Sequence, residues 1–563
     1  MTYSEIALRL DQDRIWEHLT YLSKLDKLSG SPAARQASTY ILQQLKQIGL
    51  PCHEEQFEEF LSNPITSCLT LSDGTVISSR PRSFSANRLE GVTGELVFDP
   101  HCLDKQPDLV QWEAQLESFR GKIVVGHGFD ERYIKRLERH GVLGLIQVWE
   151  SGERGIHEDT ASGVWGTPTQ DSSLLLPTIP IAGISGGDGQ ALIQRLESQR
   201  LEATLQVQVE TGVFPVTMPV ADIPGRTEEF VLLSCHYDTW FLGATDNCAA
   251  NAAAIEMARC FWEHREELER GVRIVWWTGH SNGRYAGSTW YCDYHWLQLH
   301  THCVAHITAD LLGNRGANRE GIHTTGAEGR KFFLETAAAA APGTEVDFFS
   351  IGRGADQSFW GTGIPFHFYS RSVCRPEEKQ TATPGPGTPW WHTAEDTLDK
   401  VDPTVLARDA RMFYLSAYRL AAERRLPFAL EEYFSQTVQT LEDCAKHCDV
   451  CFDFAPVLDQ VASLWAAVRQ AAEDCQEEDT RWNRLVRMVC GTMNRLKQSY
   501  GSAYDQDLAF SASGLFPRLC CVKDKRRETM GAEEYLFLST DFIRQKNRMI
   551  DELTILTNKI QSF

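Results

Sequence analysis

The stretch HYDTWFLGATDN, His236–Asn247, sits between a short apolar run and a long alanine-rich one, and it decides the reading of the chain. Before it, FVLLSCHYD reads as a buried strand; after it, AANAAAIEMARCFWEHRE reads as a helix. RGVRIVWWTG is a second apolar strand, and THCVAHITADLLGN a third, with its polar residues at the C-terminal end. Unbroken apolar strands alternating with helices imply an α/β sheet covered on both faces. DPTVLARDARMFYLSAYRLAAERRL closes this region with a helix, so residues 224–426 are expected to belong to one α/β domain.

Working outward, residues up to about Leu50 read as helices broken at SGSP, Ser29–Pro32, and PCHEEQFEEF as a strand leading out. Residues 1–60 therefore join 224–426 in a discontinuous domain. Between 61 and 223 the texture changes to short apolar runs bounded by turn residues, as in GELVFDP, GKIVVGHG and TIPIAGIS, with the helix RYIKRLERHG among them. This is a β-rich insert. Residues 427–563 are mostly amphipathic helix, and the low-complexity loop TATPGPGTP precedes Trp390.

At 563 residues, several domains are expected. A net charge of -21 argues against nucleic acid as a partner, since phosphate binding wants clustered Lys and Arg. No run has the roughly 18 apolar residues of a membrane span, and the charged N-terminus lacks the apolar centre of a signal peptide. The reading is a cytoplasmic protein without membrane contact. Its 16 Cys are expected as free thiols, and CAKHCDVC (Cys444, His447, Cys448, Cys451) as buried helical cysteines rather than a metal site.

Imidazoles and carboxylates gather near the expected strand ends, where open α/β sheets place their sites. His236 and Asp238 form His-x-Asp, Asp246 follows in GATDN, Asp310 ends HITAD, and His392 lies in WWHTAEDTLDKV. Hydrolytic divalent ions need such ligands, and two ions need a carboxylate to bridge them. Asp238 is placed to hydrogen-bond the His236 imidazole and fix its tautomer. Singly, each residue has a plainer explanation, such as a helix cap at Asp246 or a loop histidine at His392.

Their order resembles the co-catalytic zinc aminopeptidase family that includes glutamate carboxypeptidase and, as a non-catalytic relative, the transferrin receptor. The resemblance rests on His236-Tyr-Asp238, Gly243-Ala-Thr-Asp246-Asn247, Gly287-Ser288, Thr308-Ala-Asp310, His392-Thr393 with Asp396, and ADQSFWGTGIP at Ala355–Pro365. It implies an aminopeptidase-like mixed sheet flanked by helices. It also implies a protease-associated-like insert over 61–223 and a helical, homodimerising C-terminal domain. His236 and Asp310 would hold one Zn2+, Asp246 would bridge, and His392 would hold a second.

The departure lies in WTGHSNGRYAGS, Trp277–Ser288, where the family carries a Glu-Glu pair, the first Glu a general base and the second a ligand of the His392 ion. Here His280 and Ser281 stand instead, with one extra residue near Arg284. Three readings compete: His280 replaces the lost ligand or takes the base role, a single ion remains, or the fold only binds a partner as receptor or scaffold. The expected activity is metal-dependent hydrolysis of an amide bond, in a peptide or a small N-acyl compound, with one or two Zn2+ ions. Ser281 is expected to hold the turn, while Asp356 and Tyr369 are candidate stand-ins for the missing role, each with a structural role as the alternative. Trp240, Phe241, Trp390 and Trp391 are candidates to line the substrate pocket. Arg284 and Arg353 are candidates to grip a carboxylate, or else form structural ion pairs.

Overall fold

The computed structural model describes residues 1–102, 109–128, 131–151, 155–374, 388–475, 477–509 and 514–563. Most of the TATPGPGTP loop lies outside them. The centre of the molecule is the strand Phe230–His236, every residue of which is buried. It pairs in parallel with Gly271–Trp277 on one side and Cys303–Ala309 on the other. Burial on both faces explains why these strands are continuous apolar runs. His367–Val373 continues the parallel pairing, Arg319–Thr324 joins it antiparallel, and Glu345–Ser350 forms the edge. The helices Gln12–Leu22, Pro32–Gln47, Ala249–Glu263 and Pro403–Ala422 share one apolar cluster with the central strands. The small side chains of Ala249–Ala254 let their helix lie close to the sheet.

Two long strands carry the sheet out of this core. Cys52–Leu71 and Glu202–Ile223 pair antiparallel from Cys52 opposite Ala221 to Leu71 opposite Ala203, with one register shift between Pro64 and Thr66. Twenty residues at the usual rise reach about 65 Å. The strand therefore passes unbroken through residue 61, where the sequence places the edge of the insert. Beyond it, Arg88–Asp99, Ile123–His127, Gly144–Val148 and Ile181–Ile184 run parallel in turn. Helices Leu109–Glu117 and Glu131–Arg139 lie between them in sequence and Gly186–Ser198 follows the last, so the insert is itself a small α/β layer. Two separate apolar clusters hold it together.

The C-terminal helices Leu430–His447, Ala455–Asp474, Asp479–Gln498 and Ala532–Gln561 pack onto the core within its own apolar cluster. A close backbone approach fixes the contact: a Cβ on Gly491 would stand 2.3 Å from the Gly363 carbonyl oxygen. Asn494 Nδ2 also donates to the Pro365 carbonyl at 2.6 Å. Of the clustered thiols only Cys444 is buried in a helix; Cys448 is half-buried and Cys451 is exposed beside the Tyr535 hydroxyl. That corrects the expectation of three buried helical cysteines, because Leu430–His447 ends before the last two. No helix among the described residues is long and apolar enough to cross a membrane.

His18 faces the core from Gln12–Leu22, with Nδ1 2.9 Å from the Tyr40 hydroxyl. Burial, aided by the Arg14 charge, lowers its pKa to about 4. The folded state thus resists the proton that the unfolded chain takes up near pH 6.5, so stability falls between about pH 6.5 and 4, by up to about 3 kcal/mol. His18→Gln is expected to flatten that acid limb in denaturant melts while leaving stability at pH 8 within about 1 kcal/mol.

Candidate metal centre

The site is built where parallel strands end. Trp277 pairs with His236, so the turn after Trp277 rises beside the His236 ring. The rings of His236 and His280 stack face to face, centroids 3.5 Å apart and planes 9° from parallel. Asp310 follows the end of Cys303–Ala309 and places Oδ1 3.5 Å from His236 Nε2. Asp246 brings Oδ1 to 3.1 Å from the same nitrogen, and its other oxygen lies 3.0 Å from His392 Nε2. Each carboxylate oxygen of Asp246 thus meets a different histidine.

Asparagines tie the strand ends together. Asn251 Nδ2 donates to the His236 carbonyl at 2.9 Å, and Asn247 Nδ2 donates to the Ala309 carbonyl at 3.0 Å. Beneath the loop, the buried Lys27 ammonium donates to the Thr239 hydroxyl at 3.1 Å and the Leu242 carbonyl at 3.2 Å. Asp396 accepts from the Thr245 amide and hydroxyl, each at 2.9 Å, and from the Asp246 amide at 3.1 Å. Burial pushes its pKa up to about 7, with the Asp246 charge adding to the rise and the amide bonds opposing it.

The tautomers are set locally. His236 Nδ1 lies 2.8 Å from the backbone carbonyl of Asp238, while the Asp238 carboxylate oxygen stands at 3.7 Å. The carbonyl, not the expected carboxylate, therefore fixes the tautomer. Asp238 Oδ2 instead accepts the Ser281 amide at 2.9 Å, holding the turn that carries His280. Asp356 Oδ2 lies 2.7 Å from His280 Nδ1, and Asp356 Oδ1 accepts from the Ser288 hydroxyl at 2.8 Å. Asp356 thus orients His280 and stands outside the ligand cluster. Tyr369 lies beside His323, ring centroids 4.7 Å apart.

With its Nδ1 proton committed, His236 turns Nε2 toward Asp246 and Asp310. His236 Nε2, Asp246 Oδ1 and Asp310 Oδ1 are buried, yet none makes a hydrogen bond of good geometry. A lone pair facing two carboxylates in a dry site demands positive charge, from a proton or a metal ion. Burial alone would lower the His236 pKa, but Asp238, Asp246 and Asp310 override it and hold it well above the ordinary value. Asp246 shows the converse: burial opposes its charge, and His236 and His392 hold it well below the carboxylate range. His236, His280 and Asp310 each offer a donor atom within 4.8 Å of the others. This imidazole and carboxylate set fits a divalent ion such as Zn2+.

Of the two roles open to His280 in the sequence, that of a ligand beside His392 would set it apart from His236; the fold stacks it on His236, where the strand register brings the turn after Trp277. At the His392 end a second group converges, His157, Asp159 and His392, again with donor atoms within 4.8 Å. His157 and Asp159 come from the insert and escape the sequence reading, although His157-Glu-Asp159 repeats the His-x-Asp spacing. The insert covers the site elsewhere too. Trp165 Nε1 donates to the Ser358 hydroxyl at 2.9 Å, and the Gly166 amide donates to the Arg284 carbonyl at 2.7 Å.

Both candidate arginines have carboxylate partners within the chain, as the structural alternative has it. Arg284 Nη2 donates to Glu131 Oε1 at 2.6 Å, and Arg353 stands 3.7 Å from Asp507 while lying over the Trp165 ring. Trp391 Nε1 donates to Asp246 Oδ2 at 2.6 Å, so this tryptophan steadies the shared carboxylate. Trp240 is buried with its ring centroid 6.3 Å from that of His392. Phe241 lies under the Arg80 guanidinium, and Trp390 is buried beneath the Lys400 ammonium. Seven of the eleven non-glycine residues with left-handed φ among the described residues lie in the loops around the site: Phe241, Arg284, Tyr285, Leu311, Ala355, Asp356 and His392. Such strain gathers where surrounding structure over-determines a functional geometry.

Known proteins share this arrangement of strands. The solved structure of an aminopeptidase from Aneurinibacillus sp. strain AM-1 superposes with a TM-score of 0.57 at 21% identity, covering 75% of this chain and 96% of that one. Among curated proteins, aminopeptidase YwaD of Bacillus subtilis is 22% identical over 323 residues, covering 56% of this chain. The probable glutamate carboxypeptidase VP8 of Zea mays is 22% identical over 347 residues, covering 50% of this chain. The chain spans 65% of the length of the first and 48% of the second. The model of Peptidase family M28 matches residues 220–416, the segment that holds His236, Asp246, His280, Asp310 and His392. With this match and the strand-end site in register, the α/β core of the chain is similar to Peptidase family M28 over residues 220–416.

Proposed function

We propose that the protein is a metal-dependent hydrolase of amide bonds, with peptides as its first substrate class. One observation carries the reading: Asp246 offers one oxygen to His236 Nε2 at 3.1 Å and the other to His392 Nε2 at 3.0 Å. A carboxylate so divided has the form of a ligand shared between two ions, or between an ion and an imidazolium. His236, His280, Asp310 and Asp246 would hold Zn2+, with His392 on the far side of Asp246. The bound ion supplies Lewis-acid polarisation of the scissile carbonyl and a lowered pKa for water.

The chain's own residues prepare that chemistry. The Asp238 carbonyl and the Asp356 carboxylate keep the Nδ1 protons of His236 and His280, leaving both Nε2 atoms as donors toward the ion. Trp391 and the Asp396-braced loop hold Asp246 between them. Trp165 packs on Tyr285, ring centroids 4.2 Å apart, and Tyr285 packs edge-on against His280 at 4.8 Å, an apolar cover that would keep water from the stacked histidines. His280 serves here as a ligand of the His236 ion rather than as the proton acceptor, because its ring lies against His236. The relatives' names, aminopeptidase and glutamate carboxypeptidase, direct the first trials to aminoacyl amides and to peptides with acidic C-termini. The free thiols fit a reducing, cytoplasmic setting.

Hydrolysis of an aminoacyl-amide and peptide panel is expected to vanish with chelator and return with Zn2+ or Co2+. Asp246→Asn is expected to lower kcat/KM more than about 1,000-fold, about 4 kcal/mol of barrier. A folded, metal-loaded protein inert to the whole panel would favour the receptor or scaffold reading. Asp396→Ala strips the acceptor from the Thr245 and Asp246 amides. Their hydrogen exchange is expected to speed up about 10-fold or more, while the strand Phe230–His236 keeps its protection.

A further inference from the structure

At the His392 end of Asp246, the α/β core supplies His392 Nε2 and Asp246 Oδ2 as donors among the described residues. Two donors are too few to retain a divalent ion, which takes four or more ligands. The insert reaches into this gap. His157, fully buried, lies between Trp149 and His392, with ring centroids at 3.9 Å and 5.1 Å and planes 15° and 26° from each. Asp159, two residues on, is half-buried and has a donor atom within 4.8 Å of those of His157 and His392.

The segment is held as a fixed part. The Glu158 amide donates to the His392 carbonyl at 2.9 Å, and the Glu158 carbonyl lies 3.1 Å from His392 Nδ1, a two-way clasp that aims Nε2 at Asp246. On the insert side, Arg82 donates to the His157 carbonyl, the Ser83 amide donates to the Asp159 carbonyl at 3.1 Å, and Arg80 pairs with Glu158. Gly155 fits against Thr393, where a Cβ would stand 3.3 Å away. Gly155, His157 and Glu158 all meet the core at Trp391, His392 and Thr393.

We propose that Gly155–Thr160 completes a second divalent-cation site, in which His157 and Asp159 join His392 and share Asp246 with the site of His236, His280 and Asp310. The inference rests on the proposed function in one respect, that the first site holds metal. Two imidazoles with two carboxylates suit Zn2+ or Co2+ rather than Mg2+ or Ca2+, which favour all-oxygen sets. The insert would thereby contribute ligands, and the two halves of the chain would hold one dinuclear centre between them.

The test is metal content per chain, by elemental mass spectrometry, on full-length protein loaded with Zn2+ and freed of excess, with Co2+ titration followed by visible absorption as a second readout. Wild type is expected to hold two ions, and Asp159→Asn and His157→Gln one each, the second Co2+ equivalent weakening by about 100-fold or more. Asp159→Asn keeps the side-chain shape at a half-buried position, so it decides the matter even where His157→Gln fails to fold. Two tightly held ions in folded Asp159→Asn would overturn the proposal, leaving Asp159 as a counter-charge to His392. A wild-type content of one ion would also overturn it while leaving the proposed function standing. A content of zero would overturn both.

Discussion

Buried acids around stacked imidazoles set the terms for the rest of the molecule. Asp238, Asp246 and Asp310 lie under the surface within reach of His236, and His280 presses its ring on the same histidine. Such a cluster repels itself unless positive charge sits at its middle, and it must be held against that repulsion when the charge is absent. The holding falls to neutral donors: amides of Thr245, Asp246 and Ser281, the Trp391 indole and the asparagine ties between strand ends. None of these carries a charge that would compete for the centre.

Support spreads outward in layers. The left-handed residues at Phe241, Arg284, Asp356 and His392 show backbone bent to serve the site, and rigid neighbours keep it bent. The strand register of Gly271–Trp277 against Phe230–His236 decides which histidine His280 meets. The C-terminal helices close the far side through the Gly363–Gly491 approach, which leaves no room for side chains between the elements.

Much of this is legible in the sequence because two-sided burial leaves an unbroken apolar signature, as in FVLLSCH and VRIVWW. The strands at the other end of the sheet are not. REGIHT, EVDFFS and HFYSRSV mix polar and apolar residues without a regular period: the edge strand Glu345–Ser350 meets solvent, and the two inner strands bury polar side chains that satisfy one another, as Ser370 does in donating to Glu320 at 2.9 Å. The strand from Cys52 is legible only for its first ten residues, because the polar SNPITS that follows looks like its end. Among the site residues, His236, Asp246, Asp310 and His392 can be picked out by order and spacing. The position of His280 needs the strand register, the carbonyl at Asp238 needs coordinates, and His157 and Asp159 lie far from His392 in the chain, in a segment with no apolar pattern.

Loops usually absorb insertions and deletions freely, because little depends on their length. The segment from Gly155 to Thr160 is an exception in this protein. Its backbone is clasped by the His392 backbone on one side and by the Arg82 guanidinium and the Ser83 amide on the other. Adding or removing one residue would break one clasp or the other. A loop by appearance therefore carries the length constraint of a strand, and variation in the insert should be confined to its outer turns.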